Sequence, residues 1–304
     1  MTYLLRPMSY VLVIILGYTL KRAGFFGKKD HQIVSKIVVN ITLPCAFVQG
    51  FNGFQRDTSM FLLALVGLLC ALLPVFYMYF TSMGKDKMLR AYRMINISGY
   101  NIGCFSLPLV EVFFGSLGVV TSCMFDAGNA VMMTVGAYAV TSTMLQMGGK
   151  KETAKDIVLK FLKSIPFDTY MVLFTLMALN IPIPEAAFTL TKPAGQANGF
   201  LSMLMIGLMF EPAGDRALIR ETARQMAHRY AFAALSAAAC YFLLPYSLPI
   251  RQTAAVLCFA PVGSLAPINT ERCGGDTALA SFTNSVSIAI SLVCMMALSL
   301  AFVA

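Results

Sequence analysis

The chain has 304 residues, of which 58% are hydrophobic and only 12% charged, with a mean hydropathy of +0.73. Soluble domains run near ~45–50% apolar and ~25% charged, so a soluble enzyme of ordinary design and a disordered chain are excluded, and a bilayer is the expected solvent. The net charge of +9 is read as Lys- and Arg-rich cytoplasmic loops facing anionic headgroups, not as a nucleic-acid surface.

Ten apolar runs follow in chain order: 4–20, 33–51, 60–83, 94–114, 117–147, 167–181, 197–212, 230–248, 252–270 and 278–303. The first lacks a strongly basic start and a small-residue cleavage site, and Lys21 and Arg22 follow it. It is therefore expected to be a membrane helix, not a signal peptide. Basic residues alternate between the connections. Nineteen fall on the side of connections 1–2, 3–4, 5–6 and 7–8, and four on the other. The positive-inside rule then places both termini outside the cytoplasm of a multi-pass cell (inner or plasma) membrane protein.

The longest polar connection, 148–166, carries five Lys and divides the chain into 1–147 and 167–304, each with five predicted helices. Five is odd, so two similar halves would insert with opposite orientation. The expected fold is all-α and polytopic, with ten transmembrane helices in two inverted five-helix repeats.

The fourth run contains "SGYNIGCFSLPLV" and the ninth "FAPVGSLAPIN". Pro108 and Pro267 lie 159 residues apart (267 − 108), and the same offset carries Pro261 to position 102, inside Asn101-Ile102-Gly103. Matched Gly/Pro-interrupted segments point to a binding site, because an unwound stretch in a membrane must be buried in protein or line a wet cavity. The N-terminus of a half-helix presents free N–H groups to a carboxylate. The candidate binding residues there are Asn101, Gly103, Ser106, Pro261, Gly263 and Ser264. Asn40 stands four residues before Pro44 and suggests a further break in helix 2; Pro44, Pro108 and Pro267 are the predicted break points. Asp126 and Asn129, at i and i+3, share one face of helix 5, and Asp126 is a candidate for proton or ion coupling.

All eight Cys lie in or near apolar runs without a C-x-x-C and are read as small hydrophobes. The two His cannot make a multi-His metal site, and neither a metal nor another cofactor is expected. No Lys or Arg is placed at mid-membrane, which leans towards a monoanionic ligand, a co-transported cation or charge balance by helix ends alone.

The segments "SKIVVNITLPCAFV", "GYNIGCFSLPLV" and "CFAPVGSLAPINTERCGGD" resemble the auxin efflux carrier family in its prokaryotic permease branch, a family similar in fold to the bile-acid/sodium symporters. The resemblance implies a scaffold of helices 1, 2, 6 and 7. It implies a transport domain of helices 3–5 and 8–10, with helices 4 and 9 broken where they cross at Tyr100–Gly103 and Pro261–Ser264, and with Asn40 and Asn129 as further substrate-binding candidates facing that site. It also implies small organic anions as substrates, such as carboxylates or auxin-like acids, and movement of the elevator type. By analogy a homodimer through the scaffold is plausible. Many relatives have Pro where this chain has Tyr100 or Asn101, and plant members carry charges in helix 3 that are missing here.

Three classes of function differ in what they require of these residues. A secondary carrier, with H+ or Na+ coupling open, fits the duplicated interruption. An ion-coupled symporter of the bile-acid type and a non-transporting channel or sensor are the alternatives. An intramembrane aspartyl protease would need a second Asp facing Asp126, but Asp168 and Asp276 fall at helix ends.

Overall fold

The computed structural model describes residues 2–27, 29–53, 57–147, 162–210 and 216–303. Most of the predicted connection 148–166 lies outside them. The described residues are helical throughout. The elements are α1 (Thr2–Arg22), α2 (His31–Ile37), α3 (Leu43–Gly50), α4 (Leu62–Thr81), α5 (Lys87–Ile97), α6 (Leu107–Val131), α7 (Ala137–Met144), α8 (Ile165–Ala178), α9 (Glu185–Met209), α10 (Arg216–Leu243), α11 (Leu248–Leu257), α12 (Ala266–Arg272) and α13 (Thr277–Val303).

Four continuous helical stretches among the described residues are long and apolar enough to cross a membrane: His31–Gly50, Thr58–Thr81, Ile102–Met144 and Thr277–Val303. The solvent they require is legible on α4. Leu65, Leu69, Leu73, Phe76 and Phe80 are exposed at helical spacing. Leu63, Gly67, Ala71, Val75 and Met78, on the opposite face, are buried. A stripe of large exposed side chains along a whole helix is a lipid-facing surface.

Two packed groups of helices emerge. In one, α9 lies along α1 and α3, and α8 packs on α3; in the other, α4 packs on α6, and α11 packs against both α6 and α10. The α4–α6 approach is close enough that a Cβ on Gly128 would lie 2.7 Å from the Ala64 carbonyl carbon and 2.8 Å from Leu68 N. Small residues let membrane helices approach to this distance, where dispersion is strongest.

Helix boundaries depart from the apolar runs in informative ways. The stretch from Ile102 to Met144 is divided at Gly115, whose φ of 59° and ψ of −150° are non-helical, so the chain turns between the fourth and fifth runs as expected. Helix α9 starts at Glu185, not near 197, and α10 at Arg216, not near 230. In both, the added turns are polar, so hydropathy passes over them. The Glu221 carboxylate on α10 holds Arg93 at 2.6 Å and Arg224 at 3.9 Å.

Pro44 does not break its helix. The chain continues from His31 to Gly50 by widening into a π-turn over Val38–Thr42, which accommodates the ring and the missing N–H. Pro267 occupies the first turn of α12, where that missing N–H costs nothing, whereas Pro108 follows a second π-turn, Ile102–Ser106, that runs into α6 and accommodates it as Val38–Thr42 accommodates Pro44. The breaks themselves lie upstream of both.

Candidate functional site

The fourth run stops being helical after Ile97 and resumes at Ile102, with Gly99 at a φ of 69° that suits a residue without a Cβ. The ninth stops after Leu257 and resumes at Ala266. The two gaps meet: Tyr100 and Val262 form an isolated antiparallel bridge, and Asn101 N donates to the Pro261 carbonyl at 2.9 Å.

Each peptide group released by the breaks needs a partner, because lipid offers none. Asn129 supplies two. Its Oδ1 accepts from Tyr100 N and its Nδ2 donates to Tyr100 O, both at 2.8 Å. Ser287 Oγ accepts from Val262 N at 3.1 Å, and Ser98 Oγ donates to Ala71 O at 2.9 Å. Ser106 Oγ donates to Asn101 O at 3.3 Å.

The carbonyls at the ends of α5 and α11 converge on Arg229. Its guanidinium donates to Ile97 O and Gly99 O at 2.9 Å, to Ala260 O at 3.0 Å and, more weakly, to Asn96 O at 3.5 Å. It also stands 5.0 Å from the Tyr100 ring centroid. Arg229 is 3% exposed. A buried cation therefore sits at the crossing, contrary to the expectation of none. Its location has a direct electrostatic reason: two helix C-termini direct partial negative charge at one point, and a planar five-donor fork satisfies several carbonyls at once.

On the other side of the crossing lies a cavity of about 440 Å³. Asn40, Asn101, Gly103, Asp126 and Ser264 line it, with Tyr170, Lys36 and Lys163. Asp126 is 7% exposed, and both its carboxylate oxygens are engaged. Asn129 Nδ2 donates to Oδ1 at 2.8 Å and Tyr170 Oη to Oδ2 at 2.7 Å. The Tyr170 bond joins α8, in one packed group, to α6, in the other. The Asn101 side chain has no hydrogen-bond partner among the described residues, and Lys36 and Lys163 have no ion-pair partner there. Asn40 Nδ2 is used within its own helix, on Lys36 O at 2.9 Å. What remains free around the cavity thus includes the Asn101 amide and the two ammonium groups, with the hydroxyls of Ser35, Thr134, Ser164 and Ser264 also on its lining.

The predicted residues divide into two sets. Asn40, Asn101, Gly103, Asp126 and Ser264 face the cavity. Ser106, Asn129, Pro261 and Gly263 build the crossing itself, with Gly263 against Met133. Sequence reasoning missed Arg229, Tyr170, Ser287, Lys36 and Lys163. The signal for Arg229 was present: Thr222, Gln225, Met226 and Arg229 follow the i, i+3, i+4, i+7 spacing of one helix face, and all four are buried.

Exposed apolar helix faces, with two broken helices and a polar cavity held among them, define a multi-pass membrane protein. The model of the membrane transport protein family, the auxin efflux carriers, matches residues 5–160, just over half of the chain. The chain belongs to that family. It is also similar to an uncharacterized transporter of Methanothermobacter thermautotrophicus, 24% identical over 133 residues that cover 42% of this chain and 43% of the relative. The chain thus matches less than half the length of that relative.

Proposed function

We propose that the protein is a secondary carrier of a small organic anion, bound in the cavity between the crossing and the α2–α3/α8 face. The observation that carries this reading is the set of unpartnered donors around that cavity: the Asn101 amide and the Lys36 and Lys163 ammonium groups. An amide donates two hydrogen bonds without bringing charge into the membrane, and two lysines at the cavity wall offset the charge of one or more carboxylates. The lysines also bring dicarboxylates within range, which the sequence alone disfavoured. A cavity of about 440 Å³ is of the size that small-molecule sites occupy.

The finer architecture belongs to the same proposal. Ten spans in two inverted five-helix repeats, with both termini outside, agree with the alternation of basic loops and with the 159-residue offset (267 − 108) between Pro108 and Pro267. Labelling of Cys introduced at positions 149 and 304 from opposite sides would support this topology, and labelling from the same side would refute it. Alternating access of the elevator type is supported by the two packed groups and by the cavity's position between them. Asp126 is the candidate coupling group, for H+ in preference to Na+, because its two oxygens are already held by donors that a bound cation would have to displace.

Purified protein in proteoliposomes should accumulate labelled malate or indole acetate, with the rate raised by an imposed proton gradient. Absence of uptake of either acid under both proton and sodium gradients would overturn the carrier reading.

A further inference from the structure

Beyond the crossing, on the side of Tyr100 away from Asn101, three thiols from three helices converge. Cys70 comes from α4, Cys240 from α10, and Cys258 from the residue that ends α11. Their sulfurs all lie within 4.8 Å of one another, and Cys240 Sγ and Cys258 Sγ are 3.8 Å apart. Cys240 and Cys258 are buried and Cys70 half-buried. The sequence gives no hint of the cluster, because the three are far apart in the chain and none belongs to a paired-Cys motif.

We propose that Cys70, Cys240 and Cys258 form a three-sulfur site for cuprous ion, Cu(I), independent of the transport cavity. Sulfurs about 2.3 Å from a trigonally coordinated metal lie about 4 Å from each other. The separations present need to change by less than ~1 Å to reach that arrangement. The donor set selects the ion. Soft thiolates favour Cu(I), zinc and iron–sulfur clusters. Clusters call for four ligating residues. A structural zinc calls for four ligands, and a three-ligand zinc completes its shell with water. Among the described residues no His, Asp or Glu joins the trio. Cu(I) is stable with three sulfurs and no water.

The charge of the occupied site can be balanced nearby. If two thiols release their protons and the third ligates as a thiol, the occupied site carries one negative charge. Arg229 is placed to offset it: its guanidinium lies over the Tyr100 ring at 5.0 Å, and Tyr100 Oη donates to the Cys70 carbonyl at 3.2 Å. Occupancy would tie α4 and α10 to the last residue of α11, two positions before the Ala260 carbonyl that Arg229 holds. The metal would thereby brace the outer side of the crossing.

The test is anaerobic titration of the full-length protein in detergent with Cu(I) buffered by a chromogenic chelator. About one equivalent should bind, and X-ray absorption should report three sulfur neighbours at about 2.3 Å. Cys240→Ser and Cys258→Ser should each abolish that binding, whereas Cys45→Ser and Cys294→Ser should retain it. The absorption spectrum of the unmutated protein decides the matter even where a variant folds poorly. Oxygen or nitrogen neighbours, unchanged binding in the trio variants, zinc outcompeting Cu(I) at the trio, or a Cys240–Cys258 disulfide in the reduced preparation would each overturn the assignment. Transport assays do not enter the readout, so its failure is distinguishable from failure of the carrier reading.

Discussion

The side-chain amide of Asn129 pairs with both the N–H and the C=O of Tyr100, at 2.8 Å each, and so acts as a one-residue strand for a peptide that has left its helix. A third bond runs from the same Nδ2 to Asp126. Asn129→Ala would leave a buried donor and a buried acceptor without partners, at roughly 1–3 kcal/mol for each. The melting temperature of the detergent-purified protein should drop clearly, with transport lost. An unchanged melting temperature would show that the crossing does not depend on this amide.

Asn101 differs in having no partner within the described protein. Its truncation should cost the fold little and the ligand much. Losing one hydrogen bond to a charged group costs about 1.5–3 kcal/mol, or roughly tenfold to a hundredfold in affinity. Asn101→Ala should raise the apparent KM for uptake by about that range at near-normal yield. Pro74→Ala, inside α4 and away from the cavity, is the matched control and should leave KM where it was.

Tyr170 and Asp126 join the two groups of helices through one hydrogen bond of 2.7 Å. Asp126→Asn removes the proton-accepting charge while keeping the shape, so uptake should persist at a reduced rate and lose its response to a proton gradient. Tyr170→Phe should keep that response and change the maximal rate, since it frees the contact and removes one donor from the carboxylate but leaves the carboxylate itself and its Asn129 donor in place. Identical gradient responses in Asp126→Asn and the unmutated protein would remove Asp126 from the coupling step.

Arg229→Lys retains the charge but replaces a fork with a single ammonium, which cannot reach carbonyls on two helix ends together. The variant should be destabilised by about 3 kcal/mol or more, comparable to breaking a buried charge network, and its thermal unfolding should show it. Full stability would mean that the carbonyls at Ile97, Gly99 and Ala260 find water instead.

Two glycines make a contrasting pair. A Cβ at Gly128 meets the backbone of Ala64 and Leu68, which cannot yield without parting α4 from α6. Overpacking of this kind costs about 1–3 kcal/mol. A Cβ at Gly103 meets Leu43 Cδ2 at 2.8 Å, the end of a side chain that can turn away. Gly128→Ala should lower the melting temperature, and Gly103→Ala should leave it nearly unchanged.

The crossing was legible in the sequence because Gly, Pro and Asn interrupt two apolar runs at one offset, and backbone chemistry forces such interruptions together. The polar ends of α9 and α10 were not legible as helix, since hydropathy sees only what faces lipid. Arg229 was lost for that reason: counted among the basic residues of a loop, it lies on the buried face of a helix whose first turns carry several charges. Tyr170 and Lys163 escaped because their role depends on how α8 and the residues before it meet α6, which no local pattern records. Pro44 shows the opposite error, in which a strong local signal for a break was absorbed by a wider turn.

The buried guanidinium has an electrical consequence. Arg229 is fixed to the backbone of both broken helices, so any stroke that moves the crossing moves a positive charge with it, and Asp126, on the same group of helices, moves a negative one. With Asp126 ionised the pair is neutral. With Asp126 protonated, an empty stroke carries one charge, which a monoanion would cancel. An elementary charge crossing the full field is worth about 2.3 kcal/mol per 100 mV. Under the proposed proton-coupled carrier mechanism, membrane voltage would therefore act on the protonated, empty state and leave the state holding both proton and monoanion almost indifferent, so transport currents would report which state makes the return journey.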